Sequence, residues 1–370
     1  MAKEGDLVIT IDARNGRVER IDARREDPRS LDELVTGRPA REAAMLVRTA
    51  FATCGMAHAV AAHMAVEGAR GEVRASRHDI RERRIIGETL SHHGWRIFID
   101  IPRLSGQEVP TDIGPEQRQA LNAFIHPGEG DAEAAARTIL EWAERVVLGG
   151  TPREFLSMKT LDDLERWMRP GKSTAATLFA RVMDEEPALG ANDVEMMPPA
   201  DDSAISALAS RLEGEERFAD RPELAGRPRE TGPLSRQAAH PLTAAAVKEW
   251  GCGFGARAIA RMLEMASLLS SLSGVDGRRH GVVQIAPGHA IGWAETGTGL
   301  AIHCVRVESE IVKSYRALLP ADWNFASDGP FIRGAGSLGG DDANALDHRV
   351  RRLAASLDPG VSVRLKRPDA

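Results

Sequence analysis

Residues 40 to 64 read AREAAMLVRTAFATCGMAHAVAAHM, and alanine, leucine and valine recur in them at three- and four-residue spacing. This period predicts helix over most of the stretch. If the helix continues through Cys54-Gly55-Met56-Ala57-His58, the thiol and the imidazole lie four residues apart on one face. That pair can serve a soft metal ion, but two ligands are too few for a closed metal site. A buried thiol with a hydrogen-bonded histidine nearby is the alternative interpretation.

The flanking sequence is mainly helical, with strands towards both chain ends. Residues 7–12 and 18–23 flank Asn15-Gly16, the signal of a tight hairpin turn. Further helices are predicted over residues 76–93, 115–124, 131–147, 240–272 and 342–353, with an interruption near 251–255. Short strands are predicted over residues 281–285, 300–307 and 311–317. Residues 197–232 are rich in proline, glycine and charge, which predicts a surface excursion.

The composition is that of a soluble globular protein, since 42% of the 370 residues are hydrophobic and 28% are charged. The net charge of −6 provides no basic surface for nucleic acid or anionic lipid. No apolar run approaches the roughly 20 residues that span a bilayer, so no membrane insertion is expected. Three widely spaced cysteines do not form a disulfide framework, so we expect reduced thiols in the cytoplasm.

Two other motifs have ordinary interpretations. His92-His93 lies near a predicted helix end, where histidines more often cap or pack. Residues 295–299, Glu-Thr-Gly-Thr-Gly, lack the lysine and the following helix that a phosphate-binding loop needs. Neither motif by itself predicts a chemistry.

Several short motifs follow one another along the chain in a set order. After the hairpin come residues 34–38 (LVTGR), Cys54-x-x-x-His58, and residues 230–236 (ETGPLSR), 240–242 (HPL), 255–262 (GARAIARM), 295–303 (ETGTGLAIH), 322–324 (DWN) and 358–359 (DP). This colinear set resembles the large subunits of nickel-iron hydrogenases. The resemblance implies an α+β, mainly helical fold like that of those subunits, with an N-terminal hairpin and short C-terminal antiparallel strands.

The chain departs from that family where nickel is bound. In the family four cysteine thiolates hold nickel; here Cys54 is retained, and the other ligand positions hold Phe51, Gly360 and Val363, with Lys366 at a histidine position. Residues near the vacated site are Asp32 (in Arg29-Ser30-Leu31-Asp32), Glu295, Thr298, where the family has arginine, and His303. One thiolate cannot replace four soft ligands. The resemblance therefore implies neither nickel binding nor hydrogen turnover.

This profile resembles the hydrogenase maturation proteins of the HupK/HoxV family, which are large-subunit-like and depleted of these cysteines. The resemblance implies a non-catalytic scaffold for assembly or transfer of the iron dicyano-carbonyl unit of the NiFe cofactor. Cys54 is the candidate transient iron ligand, and His58 is a candidate hydrogen-bond donor to the sulfur or the diatomic ligands. The implied partners are a small HypC-type hydrogenase chaperone, other maturation proteins and the hydrogenase large subunit.

We expect a single large-subunit-like domain over residues 1–370, with the hairpin and first motif in 1–38, helices in 39–196, the excursion in 197–232, a core helix in 233–280, and strands and tail in 281–370. Because Cys54 and Asp358-Pro359 flank one site in the family, their backbones should approach within roughly 10 Å. Iron exchange with a partner thiol predicts that Cys54 lies in an open cleft. Cys252 and Cys304 match no ligand position and are expected to be packing thiols.

A second hypothesis belongs to a different class. The chain is then a purely structural or regulatory homologue, related to hydrogenase or respiratory complex I subunits, that binds partner proteins without metal. Retention of Cys54 favours the scaffold, since a structural homologue has no need of that thiol. Cyanide and carbonyl stretches in the infrared spectrum of protein purified without oxygen distinguish the two hypotheses.

Overall fold

The computed structural model describes residues 5–26, 31–110, 114–126, 132–272 and 278–367. Within these ranges the helices are α1 (Leu31–Val35), α2 (Ala43–Ala50), α3 (Gly55–Arg70), α4 (His78–Trp95), α5 (Ile101–Leu104), α6 (Pro115–Ile125), α7 (Ala132–Trp142), α8 (Pro152–Leu156), α9 (Leu161–Trp167), α10 (Thr174–Asp184), α11 (Asp202–Gly214), α12 (Pro233–Arg236), α13 (Pro241–Trp250), α14 (Phe254–Ser270), α15 (Pro320–Asn324), α16 (Pro330–Ala335) and α17 (Ala343–Leu357). The strands are β1 (Leu7–Arg14), β2 (Arg17–Arg25), β3 (Glu195–Met196), β4 (Arg229–Glu230), β5 (His280–Ala286), β6 (His289–Thr296), β7 (Gly299–Glu308), β8 (Ile311–Leu318) and β9 (Val363–Lys366). The predicted class, α+β and mainly helical, is confirmed.

The amino-terminal hairpin forms as predicted. β1 and β2 are antiparallel, and Asn15 and Gly16 in their turn have φ angles of 50° and 73°, the left-handed region that an Asn-Gly turn uses. The sequence did not predict β9, which pairs in parallel with β1 and completes a sheet in the order β2-β1-β9. Ile9 and Ile11 of β1 are fully buried and pack in one apolar cluster with Leu353 of α17.

Strands β5 to β8 form a four-stranded antiparallel sheet in chain order. The sequence missed β6 because nearly all its residues are buried, so it lacks the alternation of a half-exposed strand. Helix α3 packs on β6, and a β-carbon added to Gly292 would lie 2.0 Å from the Ala61 carbonyl oxygen. The absence of a side chain at Gly292 therefore lets the backbone of α3 lie directly on the sheet, and this contact sets the distance between the helix and the sheet.

Helix α14 is the centre of the helical part. It is buried along nearly its whole length in the largest apolar cluster. The predicted interruption of the 240–272 region is confirmed, because Gly251, with a φ of 63°, ends α13. Three charged residues of α14 are buried, Arg257, Arg261 and Glu264, and buried charges require partners. Among the described residues, none of the helices has the length and apolar character needed to cross a membrane.

The prediction of a surface excursion over residues 197–232 is wrong in part. This segment contains α11, whose Ile205, Leu208 and Leu212 are buried in one cluster with Trp293 of β6. These three positions share one helix face, which covers the four-stranded sheet. The proline, glycine and charge around α11 concealed this short apolar period.

Candidate functional site

Cys54 lies in the turn between α2 and α3, where the predicted helical stretch is broken. Its φ and ψ angles are 58° and 23°, in the left-handed region that residues other than glycine adopt at a cost. The residue is 4% exposed. The backbone of Gly297 and the side chain of Thr296 lie within hydrogen-bonding reach of the thiol, and a β-carbon on Gly297 would lie 3.4 Å from Sγ. The turn between β6 and β7 therefore covers the sulfur.

The prediction that Cys54 lies in an open cleft is wrong. Burial raises the pKa of the thiol far above its usual value, and the Glu88 and Asp358 carboxylates raise it further. The thiol is therefore protonated at neutral pH in this conformation. The expected shared helix face is also absent for Cys54 and His58, because Cys54 precedes the first residue of α3. The His58 backbone N–H instead donates to the Cys54 carbonyl oxygen at 3.1 Å.

Glu88 of α4 holds the amino end of α3. Its two carboxylate oxygens accept the backbone N–H groups of Met56 and Ala57, each at 2.8 Å. These are among the amides that a helix start leaves without an intrahelical partner. Burial raises the pKa of Glu88, although the two amide bonds oppose the shift. Glu88 thereby fixes the first turn of α3 and, with it, the position of Cys54.

A buried chain of three side chains begins at His58. His58 Nδ1 lies 3.1 Å from His303 Nε2, and His303 Nδ1 lies 2.8 Å from the Tyr315 hydroxyl. Burial lowers the pKa of His58 well below its usual value and that of His303 to about 3, so both imidazoles are neutral. The Phe51 ring stacks on His58 with centroids 3.8 Å apart. Among the described residues, the His58 ring thus hydrogen-bonds to His303.

Asp32 lies at the far end of this chain. Its Oδ1 accepts the backbone N–H of Tyr315 at 3.1 Å and the Thr36 hydroxyl at 2.7 Å. Arg29 and Ser30, the first residues of the same motif, lie outside the described residues. Asp32 therefore positions the strand that carries Tyr315.

Asp358 ends α17 and is the focus of a cluster of cations. It is 2% exposed, with a φ of 57°. Arg96 donates from Nε and Nη2 to its two oxygens at 3.1 and 2.5 Å, His92 Nε2 lies 2.6 Å from Oδ2, and Arg261 is 3.6 Å away. Although burial opposes ionisation, Arg96 and His92 hold the pKa of Asp358 well below its usual range. Asp358 is therefore a buried, charged and rigidly held carboxylate.

The side chains around Cys54 and Asp358 converge at Gly297. A β-carbon on Gly297 would lie 3.4 Å from the Cys54 sulfur and 2.8 Å from Cδ2 of His92, which contacts Asp358. Two residues after Asp358, a β-carbon on Gly360 would lie 4.0 Å from the Thr298 methyl group. Cys54 and Gly360, two positions at which the resemblance places nickel ligands, thus both border the β6–β7 turn.

Val363 and Lys366 do not join this group, which corrects the expectation of a cation in the vacated site. Both lie in β9, where Val363 pairs with Leu7. The side chain of Lys366 is 50% exposed, and its amine is 3.4 Å from Glu26. Because β9 is the edge strand next to β1, it carries Lys366 to the surface of the hairpin sheet.

Glu295 belongs to a second buried charge network. Arg236 Nη1 donates to Glu295 at 2.8 Å, and the same guanidinium donates through Nε and Nη2 to Glu264. His93 Nε2 lies 2.7 Å from Glu264. Burial raises the pKa of Glu295 and lowers that of His93 to about 4, so His93 is neutral.

The sequence interpretation missed Glu88, Arg96 and Glu264, which organise the two networks. A signal was present for Glu264, because it interrupts the apolar run Met262-Leu263-Glu264-Met265 on the buried α14. A charge within such a run predicts a buried partner, although not which one.

The other two thiols lie in apolar clusters, as predicted. Cys252 packs in the helical cluster around α14, and Cys304 packs in the cluster beneath α11. Burial raises the pKa of Cys252 to about 11. Cys252 lies near the buried Arg257–Glu230 pair, whereas Cys54 lies near Glu88 and Asp358 and offers one soft donor where a four-thiolate centre would need four.

Comparison with known proteins identifies relatives across almost the full chain. It is 32% identical over 355 residues to the hydrogenase expression/formation protein HoxV of Cupriavidus necator, covering 91% of this chain and 90% of that relative. It is 27% identical to the hydrogenase expression/formation proteins HupV of Azotobacter chroococcum and HupK of Azotobacter vinelandii, covering 98% of each chain. No protein-family model matches the chain.

The fold is similar to that of solved hydrogenases. The Ni-Fe-Se hydrogenase of Desulfovibrio vulgaris Hildenborough superposes with a TM-score of 0.59 at 15% identity, over 95% of this chain and 96% of that one. The enzyme of Desulfomicrobium baculatum gives 0.60 at 16% identity, over 95% and 96%. At this identity the likeness establishes the fold alone, and it confirms the predicted large-subunit-like architecture.

Proposed function

The chain belongs to the HoxV/HupK family of hydrogenase expression/formation proteins, and from that premise we propose that it is a non-catalytic scaffold for the iron dicyano-carbonyl unit. The unit is cargo, bound briefly through Cys54 and then passed on. The observation that carries this proposal is the position of Cys54, a single thiol between Glu88 and the Asp358–His92 pair.

The residues at the family's nickel positions support a non-catalytic role. The Phe51 ring is stacked on His58, Gly360 has no side chain, and Val363 and Lys366 lie in β9. Nickel in such centres is held by soft thiolates, and Cys54 alone does not provide that set. We therefore expect neither stable nickel binding nor hydrogen turnover.

The surroundings of Cys54 disfavour a bare thiolate. Glu88 and Asp358 both interact electrostatically with the sulfur. An unbound thiolate would place a localised negative charge in a buried region, whereas coordination to the formally neutral iron(II) dicyano-carbonyl unit would spread that charge over the iron and its ligands. Ligand thiols lose their proton as a metal binds, so loading would release the Cys54 proton.

Loading requires movement of the turn that covers Cys54. Thr296 organises this turn, because its hydroxyl accepts the backbone N–H groups of Thr298 and Gly299, each at 3.1 Å. With the turn displaced, Cys54 is open to a donor; with the turn in place, bound cargo is shielded from water. His58, four residues after Cys54, and its partner His303 are both buried and neutral.

The proposed partner that displaces the turn is a small HypC-type chaperone. Exchange of iron between two proteins needs both thiols at the same iron, so the partner must approach from the side of the turn. An open surface cleft is lined by Arg24, Pro359 and Val361. The last two residues flank Gly360, which lies next to Thr298 of the turn. This cleft is the docking place we favour, and the hydrogenase large subunit is the proposed final acceptor.

The test uses full-length protein purified without oxygen from cells that express the maturation proteins. Infrared spectroscopy should reveal cyanide and carbonyl stretches in the wild type and none in Cys54→Ala. Elemental analysis should show a parallel loss of iron, and co-purification of the small chaperone should weaken. Cys252→Ala and Cys304→Ala are matched controls, since both remove buried thiols elsewhere, and they should change none of these results.

The burial of Cys54 favours a second candidate function, a structural or regulatory homologue that binds partners without metal. On that hypothesis the thiol packs beneath the β6–β7 turn and never ionises. A chaperone complex that is unchanged in Cys54→Ala, with no diatomic stretches in any variant, would establish this second function and reject the iron scaffold.

A further inference from the structure

Three side chains with metal-binding groups meet at the amino end of α4. His78 begins that helix, and Glu82 follows one turn later on the same face. His280 begins β5. One ligand atom from each of the three residues lies within 4.8 Å of the other two, and the centroids of the two imidazole rings are 5.1 Å apart. Two imidazoles and a carboxylate are a ligand set that divalent transition metals use.

His280 gives independent evidence for a ligand at this position. Its side chain is 4% exposed, and among the residues that the structure describes neither ring nitrogen makes a well-aligned hydrogen bond, although the backbone of His78 lies near the ring. Nε2 lies 3.6 Å from a carboxylate oxygen of Glu82, which is fully buried. A buried polar group left unpaired costs about 1–3 kcal/mol, and native proteins rarely retain one. The imidazole is therefore poised to bind a group that the described residues do not supply.

The neighbouring cations have carboxylate partners of their own. Arg81 pairs with Glu67 at 2.6 Å, Arg278 with Asp202 at 3.1 Å, and Arg279 with Glu82 at 3.2 Å. The Arg279 backbone N–H also donates to Glu82 at 2.8 Å. An incoming ion would therefore share the Glu82 carboxylate with Arg279, which makes the affinity lower than that of a closed four-ligand site.

We propose that His78, Glu82 and His280 bind a divalent transition-metal ion of the Zn²⁺ class. Two imidazole nitrogens and one carboxylate oxygen coordinate the ion, and at least one position is left to water. The site is separate from Cys54. His92, which lies beside Gly297 as Cys54 does, is 14 residues after His78 on α4, about 21 Å at the rise of a helix. The ion joins α4 to β5 and so ties the helical part to the four-stranded sheet.

The experiment is a Zn²⁺ titration of the full chain after removal of metals with a chelator, in competition with a chromophoric indicator. The wild type should bind one ion, and His280→Gln and His78→Gln should each weaken binding at least tenfold. Co²⁺ bound in place of Zn²⁺ should give visible absorption bands that both variants lose. His78 is only half-buried, so its variant tests the site even if His280→Gln folds poorly.

Two controls separate this site from other donors. His348→Gln removes an exposed histidine of α17, and Cys54→Ala removes the buried thiol at the other end of α4; both should bind Zn²⁺ like the wild type. Unchanged affinity in both His78→Gln and His280→Gln, or loss of the ion in Cys54→Ala, would overturn the proposal. These outcomes are independent of the infrared bands that test the iron scaffold.

Discussion

The two ends of α4 differ in how their buried polar side chains are partnered. At the carboxyl end each basic residue contacts a buried acid: His92 and Arg96 contact Asp358, and His93 contacts Glu264. At the amino end, Glu82 is held by Arg279, whereas the His280 ring has no hydrogen-bond partner among the described residues.

The difference teaches what each arrangement is suited to. A network of ion pairs fixes one geometry, because removal of the central carboxylate leaves buried cations without their partner, even though His93 Nδ1 and Arg261 Nε at this end have no hydrogen-bond partner among the described residues. The amino end is less strongly fixed, because the His280 ring nitrogens lack well-aligned hydrogen bonds to the described residues, but these nitrogens can bind a metal ion. One helix therefore combines a rigid end beside Cys54 with an end that is open to a ligand.

The largest effect is expected when the paired end is broken by Asp358→Asn. The amide preserves the shape but removes the charge that faces Arg96 and Arg261, so the free energy of unfolding should fall by about 3–5 kcal/mol. Urea unfolding at neutral pH measures the change. Asp347→Asn removes the partly exposed partner of Arg367 and, as the control, should cost less than about 1 kcal/mol. Equal losses in the two variants would show that the paired end does not depend on its buried charge.

A smaller effect at the same end depends on pH. Burial lowers the pKa of His93 to about 4 in the folded protein, against about 6.5 in the unfolded chain. As the pH falls below about 6.5 the unfolded chain takes up this proton first, so stability is complete above that pH and declines towards pH 4, by at most about 1.4 kcal/mol per pH unit. His93→Gln should reduce this slope in urea unfolding by the share of one proton, because His58 and His303, whose pKa values burial also lowers, contribute with the same sign; the exposed His348→Gln should not reduce it. A slope that is unchanged in His93→Gln would show that His93 does not contribute.

The smallest effect is expected at the unpaired end. In metal-free buffer His280→Gln removes no described hydrogen bond, so the free energy of unfolding should change by less than about 1 kcal/mol. With Zn²⁺ at a hundredfold excess over its Kd, the wild type should gain about 2.7 kcal/mol and the variant should gain much less. A metal-free loss as large as that of Asp358→Asn would contradict the difference between the two ends.

The parts of the fold that the sequence predicted are those with local signals. Asn15-Gly16 specified the hairpin, and Gly251 marked the break before α14, because both positions need a positive φ. Strand β9 was missed because its pairing with β1 is non-local. Strand β6 was missed because burial on both faces removes the alternation that identifies a strand.

The site was predicted only in outline. Motif order brought Cys54 and Asp358 to one region, since a colinear set of motifs carries the fold with it. The burial of Cys54 could not be predicted, because it depends on where the Thr296 to Gly299 turn lies in three dimensions. The cations around Asp358 come from the end of α4, from Arg96 directly after it and from α14. These segments are far apart in the sequence, so no spacing rule identifies Arg96 or Arg261.

Cys54 and Asp358 share one backbone property, with consequences for protein engineering. Both are non-glycine residues in the left-handed region, with φ angles of 58° and 57°, a conformation that costs most L-residues about 1–2 kcal/mol. A programme that relieves such strain to raise the melting temperature would put glycine or asparagine at these positions first. It would thereby delete the thiol and the buried carboxylate together. Thermal robustness and the proposed capacity to carry cargo therefore compete at these two residues, and a stabilised version of this protein should keep both unchanged.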